Sequence, residues 1–349
     1  MIMKDVAKIA GVSVATVSNV LTGKKPVSDE LKKRVLEVIK EFDYKVDLVA
    51  RGLKSKQSFN IGIVMPEITK LFFPDLLTGI EDAAKEFGYT LTYYSTRYDF
   101  DMEKQYVKQL QSGWSDGVLI DSCCPLEKQH EWAKELSEMS NSKMKMPVVC
   151  VDRILDEDIL SSVCVDNEKN AHDAVTKLIN IGRKRILHIS APLNISIGAL
   201  RYDGYKRALK EEDINFIDKY VLKGDYSAKK AYMLMKDALK DNLTFDGIFA
   251  ANDQTAIGAL KALKEKGVRV PDKVAIIGFD NSFPGTLVEP SLSTYNVPKY
   301  KMGYEAFRLL LNRMDNLQAP IQNLVLEADF IERQSTNINA VGGWDLTRW

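Results

Sequence analysis

The sequence predicts a small all-α head followed by an α/β body made of two doubly wound, parallel-sheet subdomains. Three observations lead there. Residues 1–46 hold three short amphipathic helical patterns and no strand-like run. From Asn60 onward, short and continuously apolar runs alternate with amphipathic helices, the pattern of parallel strands covered on both faces. The roughly 290 residues so patterned reach the size at which chains divide into separate cores.

In the head, Val6, Ile9 and Ala10 share one face of a helix over Lys4 to Ala10. It stops at Gly11, the residue type that best tolerates a left-handed turn. A second helix runs from Val14 to Leu21, with Ser13 at its N-cap and Gly23 beyond its end. Ser28 is expected to cap a third, with Asp29 and Glu30 in its first turn and Leu31, Val35, Leu36, Val38, Ile39 and Phe42 as its apolar stripe. Residues 47–58 read as a linker that is helical only when something holds it: Leu48, Val49 and Leu53 lack an obvious partner and Gly52 weakens an isolated helix.

Strands are expected at Ile61–Met65, Thr90–Ser95, Gly117–Ile120, Val148–Val151, Val163–Val165, Arg185–Ser190, Gly247–Ala250 and Val274–Gly278. Helices are expected at Leu76–Phe87, Glu103–Gln111, Asn170–Ile181, Tyr202–Glu211, Lys229–Leu239, Thr255–Lys266 and Met302–Met314. Ligands of such sheets bind beyond the carboxyl ends of the strands, so two facing subdomains place a site in the cleft between them.

The formal charge of zero conceals an asymmetry. Residues 1–58 carry twelve basic and seven acidic side chains, and the remainder carries 36 basic and 41 acidic. A basic head on an acidic body fits an anion-binding module joined to a domain with another task. Four cysteines, Cys123, Cys124, Cys150 and Cys164, follow no zinc spacing and suit a reducing compartment. With no apolar run of signal-peptide or membrane-spanning length, the expected location is the cytoplasm. No G-x-S-x-G, H-E-x-x-H, G-x-G-x-x-G or Walker loop is present, and His130, His172 and His188 stand apart, so neither catalysis nor a metal or other cofactor is expected. His188, inside an apolar run, reads as a hydrogen-bonded core residue.

Helix, glycine-containing turn and capped second helix form the helix-turn-helix pattern. In that second helix Val17, Val20 and Leu21 can pack inward, leaving Val14, Thr16, Ser18 and Asn19 outward beside the small Ala15. Val14 and Ala15 suit thymine methyls, Asn19 a paired contact to adenine, and Thr16 and Ser18 phosphate or base edges. The segments DVAKIAGVSVATVSNVLTG, VSDELKKRVLEVIKEFDY and VARGLKSKQS resemble the head and hinge of the lactose-repressor (LacI/GalR) family of bacterial regulators. The resemblance continues through IGIVMP, DGVLID, VVCVDR, SVCVDN, RYDGY, DGIFAANDQTAIGALKALKEKGVRVPDKVAIIGFDN and ERQST.

That resemblance implies the type I periplasmic-binding-protein bilobe and a homodimeric, ligand-responsive repressor of double-stranded operator DNA. It implies a DNA-binding domain at 1–46, a hinge at 47–58 and an effector-binding and dimerisation domain at 59–340. Within the last, the N-subdomain spans about 59–165 and 295–322 and the C-subdomain about 166–294 and 323–340; a tail at 341–349 lies outside the match. DNA contacts are implied for Ser13, Val14, Ala15, Thr16, Ser18 and Asn19, with Leu53 wedged into the minor groove of the operator and Lys54 near phosphate. Three positions depart from the family pattern. Asn19 stands where many members carry Arg, Ile2 where a Thr cap is usual, and Val46 where Pro is common.

Effector contacts are implied for Phe72, Phe73, Asp152, Arg153, Arg201, Asn252, Asp253 and Asp280. Carboxylates and amides around Arg201, with an aromatic lid, favour a sugar or sugar derivative over a phosphate. A nucleobase stays open as effector, although Ile195 and Ile197 replace polar contacts of purine-binding relatives. A transport receptor of the same fold is the rival reading, disfavoured by the fused head. A protein co-regulator docking on the body also stays open.

Overall fold

A computed structural model describes residues 1–22, 25–42, 57–112, 115–141 and 145–341. The chain divides into two compact units, residues 1–59 and 60–349.

The head unit contains α1 (Met3–Ile9), α2 (Val14–Thr22) and α3 (Asp29–Glu41). Val6, Ala7, Ala10, Val17, Val35 and Val38 form its core, with Met3, Val12, Val20, Leu21 and Ile39 packed around them. Ile9, Leu36 and Phe42 lie outside that core, about half exposed. Gly11 has φ +61, and a Cβ there would meet the Arg34 guanidinium at 2.6 Å. Arg34 Nη2 donates to the Ala10 carbonyl at 2.6 Å, so a side chain of α3 closes the end of α1 where glycine reverses the chain. Ser13 caps α2 as expected, its Oγ accepting from Thr16 N at 3.0 Å. Ser28 occupies the N-cap of α3 without making the side-chain hydrogen bond. At Ile2 the missing cap is offset from inside the helix, because the Asp5 carboxylate accepts from the Ile2 N–H at 2.8 Å.

In the body, β1 (Asn60–Met65), β2 (Thr90–Ser95), β3 (Gly117–Ile120), β4 (Val148–Val151), β5 (Ser161–Val165) and β11 (Asn323–Leu326) form a parallel sheet in the order β11-β5-β4-β3-β1-β2. A second sheet, in the order β12-β10-β9-β8-β6-β7, contains β6 (Ile186–Ser190), β7 (Val221–Lys223), β8 (Gly247–Ala250), β9 (Ala275–Phe279), β10 (Ser293–Asn296) and β12 (Asp329–Ile331). Among the described strands, only β12 runs antiparallel to its neighbour. The strands the periodicity misses, β7 and β10–β12, are three or four residues long or mix polar with apolar residues.

The covering helices are α4 (Phe73–Phe87), α5 (Phe100–Gln111), α6 (Gln129–Asn141), α7 (Asn167–Asn180), α8 (Ser196–Glu211), α9 (Ala228–Lys240), α10 (Asp253–Glu265), α11 (Pro284–Leu287) and α12 (Lys299–Asp315). Most begin two to six residues before the expected start, because caps such as Asp99, Asp166 and Asn252 open the helix ahead of its apolar stripe. Helices α4 and α12 pack backbone against backbone: a Cβ on Gly79 would lie 2.0 Å from the Tyr300 carbonyl oxygen, and one on Gly303 2.1 Å from that of Leu76. Because β11 pairs with β5, the last return to the second subdomain falls after Leu326. The expected boundary at residue 323 is therefore moved: the register of a short strand with exposed Leu324 and Val325 is set by its partner, not by its own pattern.

Candidate functional site

The cavity of the body lies where the carboxyl ends of the strands converge, the position predicted for open parallel sheets. Its lining is Lys70, Phe72, Phe73, Tyr98, Asp121, Asp152, Arg153, Ile197, Arg201, Tyr226, Asn252, Gln254 and Asp280, around an empty volume of about 430 Å³ that includes its mouth. Asp121 directly follows β3, Asp152 and Arg153 follow β4, Asn252 caps α10 just past β8, and Asp280 follows β9. Each strand thus delivers a polar residue at its end.

Two buried arginines organise the site. Arg153 Nε lies 2.7 Å from Asp121 Oδ1, and its Nη1 donates to the Ser122 carbonyl. Arg201 Nε donates to Asn167 Oδ1 at 2.9 Å and its Nη1 to the Ala251 carbonyl, while its Nη2 stands 3.5 Å from Asp280 Oδ1. The Arg201 guanidinium also rests 3.7 Å from the centroid of the Phe279 ring. Phe72 and Phe73 meet edge to face at 5.4 Å where α4 begins, giving the cavity an aromatic wall.

Burial dominates the electrostatics. It pushes Asp152 up to about 6, and it holds Asp280 above its ordinary value despite the opposing pull of Arg201 and Lys299. Asp121 rises for the same reason, against the attraction of Arg153. Tyr226 is pushed up to about 12. Asp152 Oδ1 and the Tyr226 hydroxyl are buried without a hydrogen-bond partner among the described residues. Tyr98, Asp152, Tyr226 and Asp280 all have positive φ, between 63° and 98°. Two of these residues follow strands of the first sheet and two follow strands of the second, so both sides of the cavity carry backbone held in the left-handed region by its surroundings.

Seven of the eight effector positions expected from the sequence line the cavity, and Asp253 does not. Its carboxylate accepts from Ser282 N at 2.5 Å, Ser282 Oγ at 3.1 Å and Thr294 Oγ1 at 2.6 Å, bracing the turn after β9 from behind. Arg201 sits in the second turn of α8, which starts at Ser196 and not at Tyr202 as expected. Lys70, Tyr98, Asp121, Tyr226 and Gln254 escaped the sequence reading. Asp121 carried a usable signal, as the acidic residue closing the run DGVLID, but Lys70, Tyr98 and Tyr226 lie in loops with no pattern to flag them. His188 is a core residue: fully buried, its Nδ1–H donates to the Phe249 carbonyl at 3.0 Å and its ring stacks on Phe249 and Tyr205.

In the head, Ser13, Val14 and Ala15 are exposed at the start of α2, and Thr16, Ser18 and Asn19 are half-buried farther along it. The exposed start of the second helix is the part that meets base edges in helix-turn-helix docking. Leu53 and Lys54 of the expected hinge lie outside the described residues.

A helix-turn-helix head and a two-lobed body with a polar interlobe cavity define a ligand-responsive DNA-binding regulator. The lacI family of bacterial regulatory proteins matches residues 2–47, and a periplasmic binding protein-like domain matches residues 159–336. The chain is 33% identical to the HTH-type transcriptional regulator RegA of Clostridium saccharobutylicum, covering 96% of this chain and 98% of that one. It is 34% identical to the ribose operon repressor of Halalkalibacterium halodurans over 96% of each. A transcriptional regulator CelR–cellobiose complex superposes with a TM-score of 0.72 at 28% identity, covering 96% of this chain and 99% of that one. The chain belongs to the lacI family of bacterial regulatory proteins, as a ligand-responsive transcriptional repressor.

Proposed function

We propose that this repressor senses a sugar or sugar derivative in the interlobe cavity and acts on its operator as a homodimer. The observation that carries the reading is that Asp152 Oδ1 and the Tyr226 hydroxyl are buried without a partner among the described residues, in a cavity also lined by Arg201, Asn252, Asp280 and the Phe72–Phe73 wall. Leaving such groups unpaired costs about 1–3 kcal/mol each, which ligand hydroxyls would recover. A sugar's apolar face suits the aromatic wall. Three buried carboxylates, Asp121, Asp152 and Asp280, stand against Arg153, Arg201 and Lys70, so the cavity has no excess of positive charge to favour an anionic ligand. The ribose repressor among the relatives and the cellobiose complex among the similar structures support the same class.

In the head, Ser13, Val14, Ala15, Thr16, Ser18 and Asn19 read the major groove, and Leu53 and Lys54 engage the minor groove and its phosphates. Asn19 favours adenine where an arginine would favour guanine. The reading is tested by calorimetric titration of the full chain with D-ribose, D-xylulose, cellobiose and hypoxanthine. One of the sugars is expected to bind, with at least tenfold weaker binding in Asp280→Asn and Arg201→Ala. Binding of hypoxanthine with no response to any sugar would replace the sugar by a nucleobase as effector.

A further inference from the structure

Lys299 is a buried lysine, 4% exposed, at the first position of α12. It does not line the cavity. Its Nζ donates to the Asp280 carbonyl at 2.5 Å, reaches toward that of Asn281 at 3.5 Å, and lies 3.7 Å from the Asp75 carboxylate in the first turn of α4. These partners belong to different lobes. Asp280 and Asn281 follow β9 of the second sheet, whereas α12 and α4 cover the first.

Both sides of this contact are stiff. The Asp280–Asn281 turn has φ values of +98° and +51° and is pinned by Tyr295 O to Asp280 N, by Asn296 Oδ1 to Asn281 Nδ2, and by Arg333 Nη2 to Asn281 Oδ1. On the other side, α4 and α12 are locked through the close backbone approaches at Gly79 and Gly303. A buried ammonium between two rigid bodies has little freedom to follow if they separate, and an unpaired buried cation is costly. We infer that Lys299 is an interlobe latch, a positioning residue that holds the strained Asp280 turn against the α4–α12 helix pair and so keeps the two lobes together at the cavity.

The inference goes beyond the identity of the effector, and its test needs none. Exposed Lys108 on α5 and Lys236 on α9 are replaced by cysteine for spin labelling of the full chain. The four native thiols are buried and react slowly by comparison. Labelled protein diluted with excess unlabelled chain reports the interlobe distance within one subunit by pulsed dipolar spectroscopy. Lys299→Met is expected to shift the distribution to longer and broader distances, Asp75→Asn to produce a smaller shift in the same direction, and both to retain a cooperative thermal transition. A merely structural lysine would lower that transition while leaving the distances as in the parent. Should Lys299→Met fail to fold, Lys299→Gln and Asp75→Asn carry the comparison, and unchanged distances in both would overturn the latch.

Discussion

At the level of single residues, burial decides which groups can respond to pH. Asp152, pushed up to about 6, is ionised at neutral pH and available to accept a ligand hydroxyl. If the ligand is a polyol, its affinity should fall as the pH drops below about 6, by up to tenfold per unit, and Asp152→Asn should flatten the profile; calorimetry at pH 7.5 and 5 measures both. His188 behaves in the opposite sense as a stability element. Its folded value is lowered to about 4 by burial, so its contribution is fully present above its unfolded value of about 6.5 and is lost as the pH falls toward 4. Buried Asp253, up to about 7, and Asp152 oppose it, since raised carboxyls add stability as the pH falls. The expected outcome is therefore a difference: urea unfolding of the parent should lose about 2 kcal/mol more between pH 7 and 5 than that of His188→Leu, whatever the variant's absolute stability. An equal pH response in both proteins would mean that His188 is not buried as a neutral imidazole.

Among the elements, the α4–α12 pair depends on two glycines that no hydrophobic pattern singles out. Gly79→Ala and Gly303→Ala each set a methyl about 2 Å from a backbone oxygen that cannot turn aside. Each should destabilise the body by roughly 1–3 kcal/mol or more, seen as a lower urea midpoint. A neutral result would show that the helices can slide apart. The recognition helix illustrates the reverse case, in which sequence sufficed: Ser13 at the cap and Val17 inward follow from residue type and spacing alone, and both hold in the structure. Thr16, Ser18 and Asn19 follow less closely, being half-buried where spacing alone places them outward. For the hinge the expectation is functional. Leu53→Ala should lose specific operator binding while keeping most of the salt-sensitive, non-specific component in a gel-shift titration, because a wedge contributes to deformation and not to charge neutralisation.

For the whole molecule, charge is divided as function is. The positive excess sits in residues 1–58 and the negative excess in the rest. DNA binding by the full chain should therefore weaken steeply with salt, with a log–log slope set by the phosphate contacts of the head. A salt-independent affinity would contradict that division of labour. Family, two-unit organisation, the alternation of the longer strands and helices and seven cavity residues were legible in the sequence, because periodicity, caps and strand-end polar residues are local properties written within a few positions. What the tertiary structure alone decided is long-range: that Asp253 braces the Asp280 turn instead of lining the cavity, that β11 returns to the first sheet, that Tyr98 and Tyr226 enter the site from loops, and that Lys299 spans both lobes. The contacts of Asp253, β11 and Lys299 join residues between 19 and 224 positions apart, and no local pattern encodes the distance between side chains that only folding brings together.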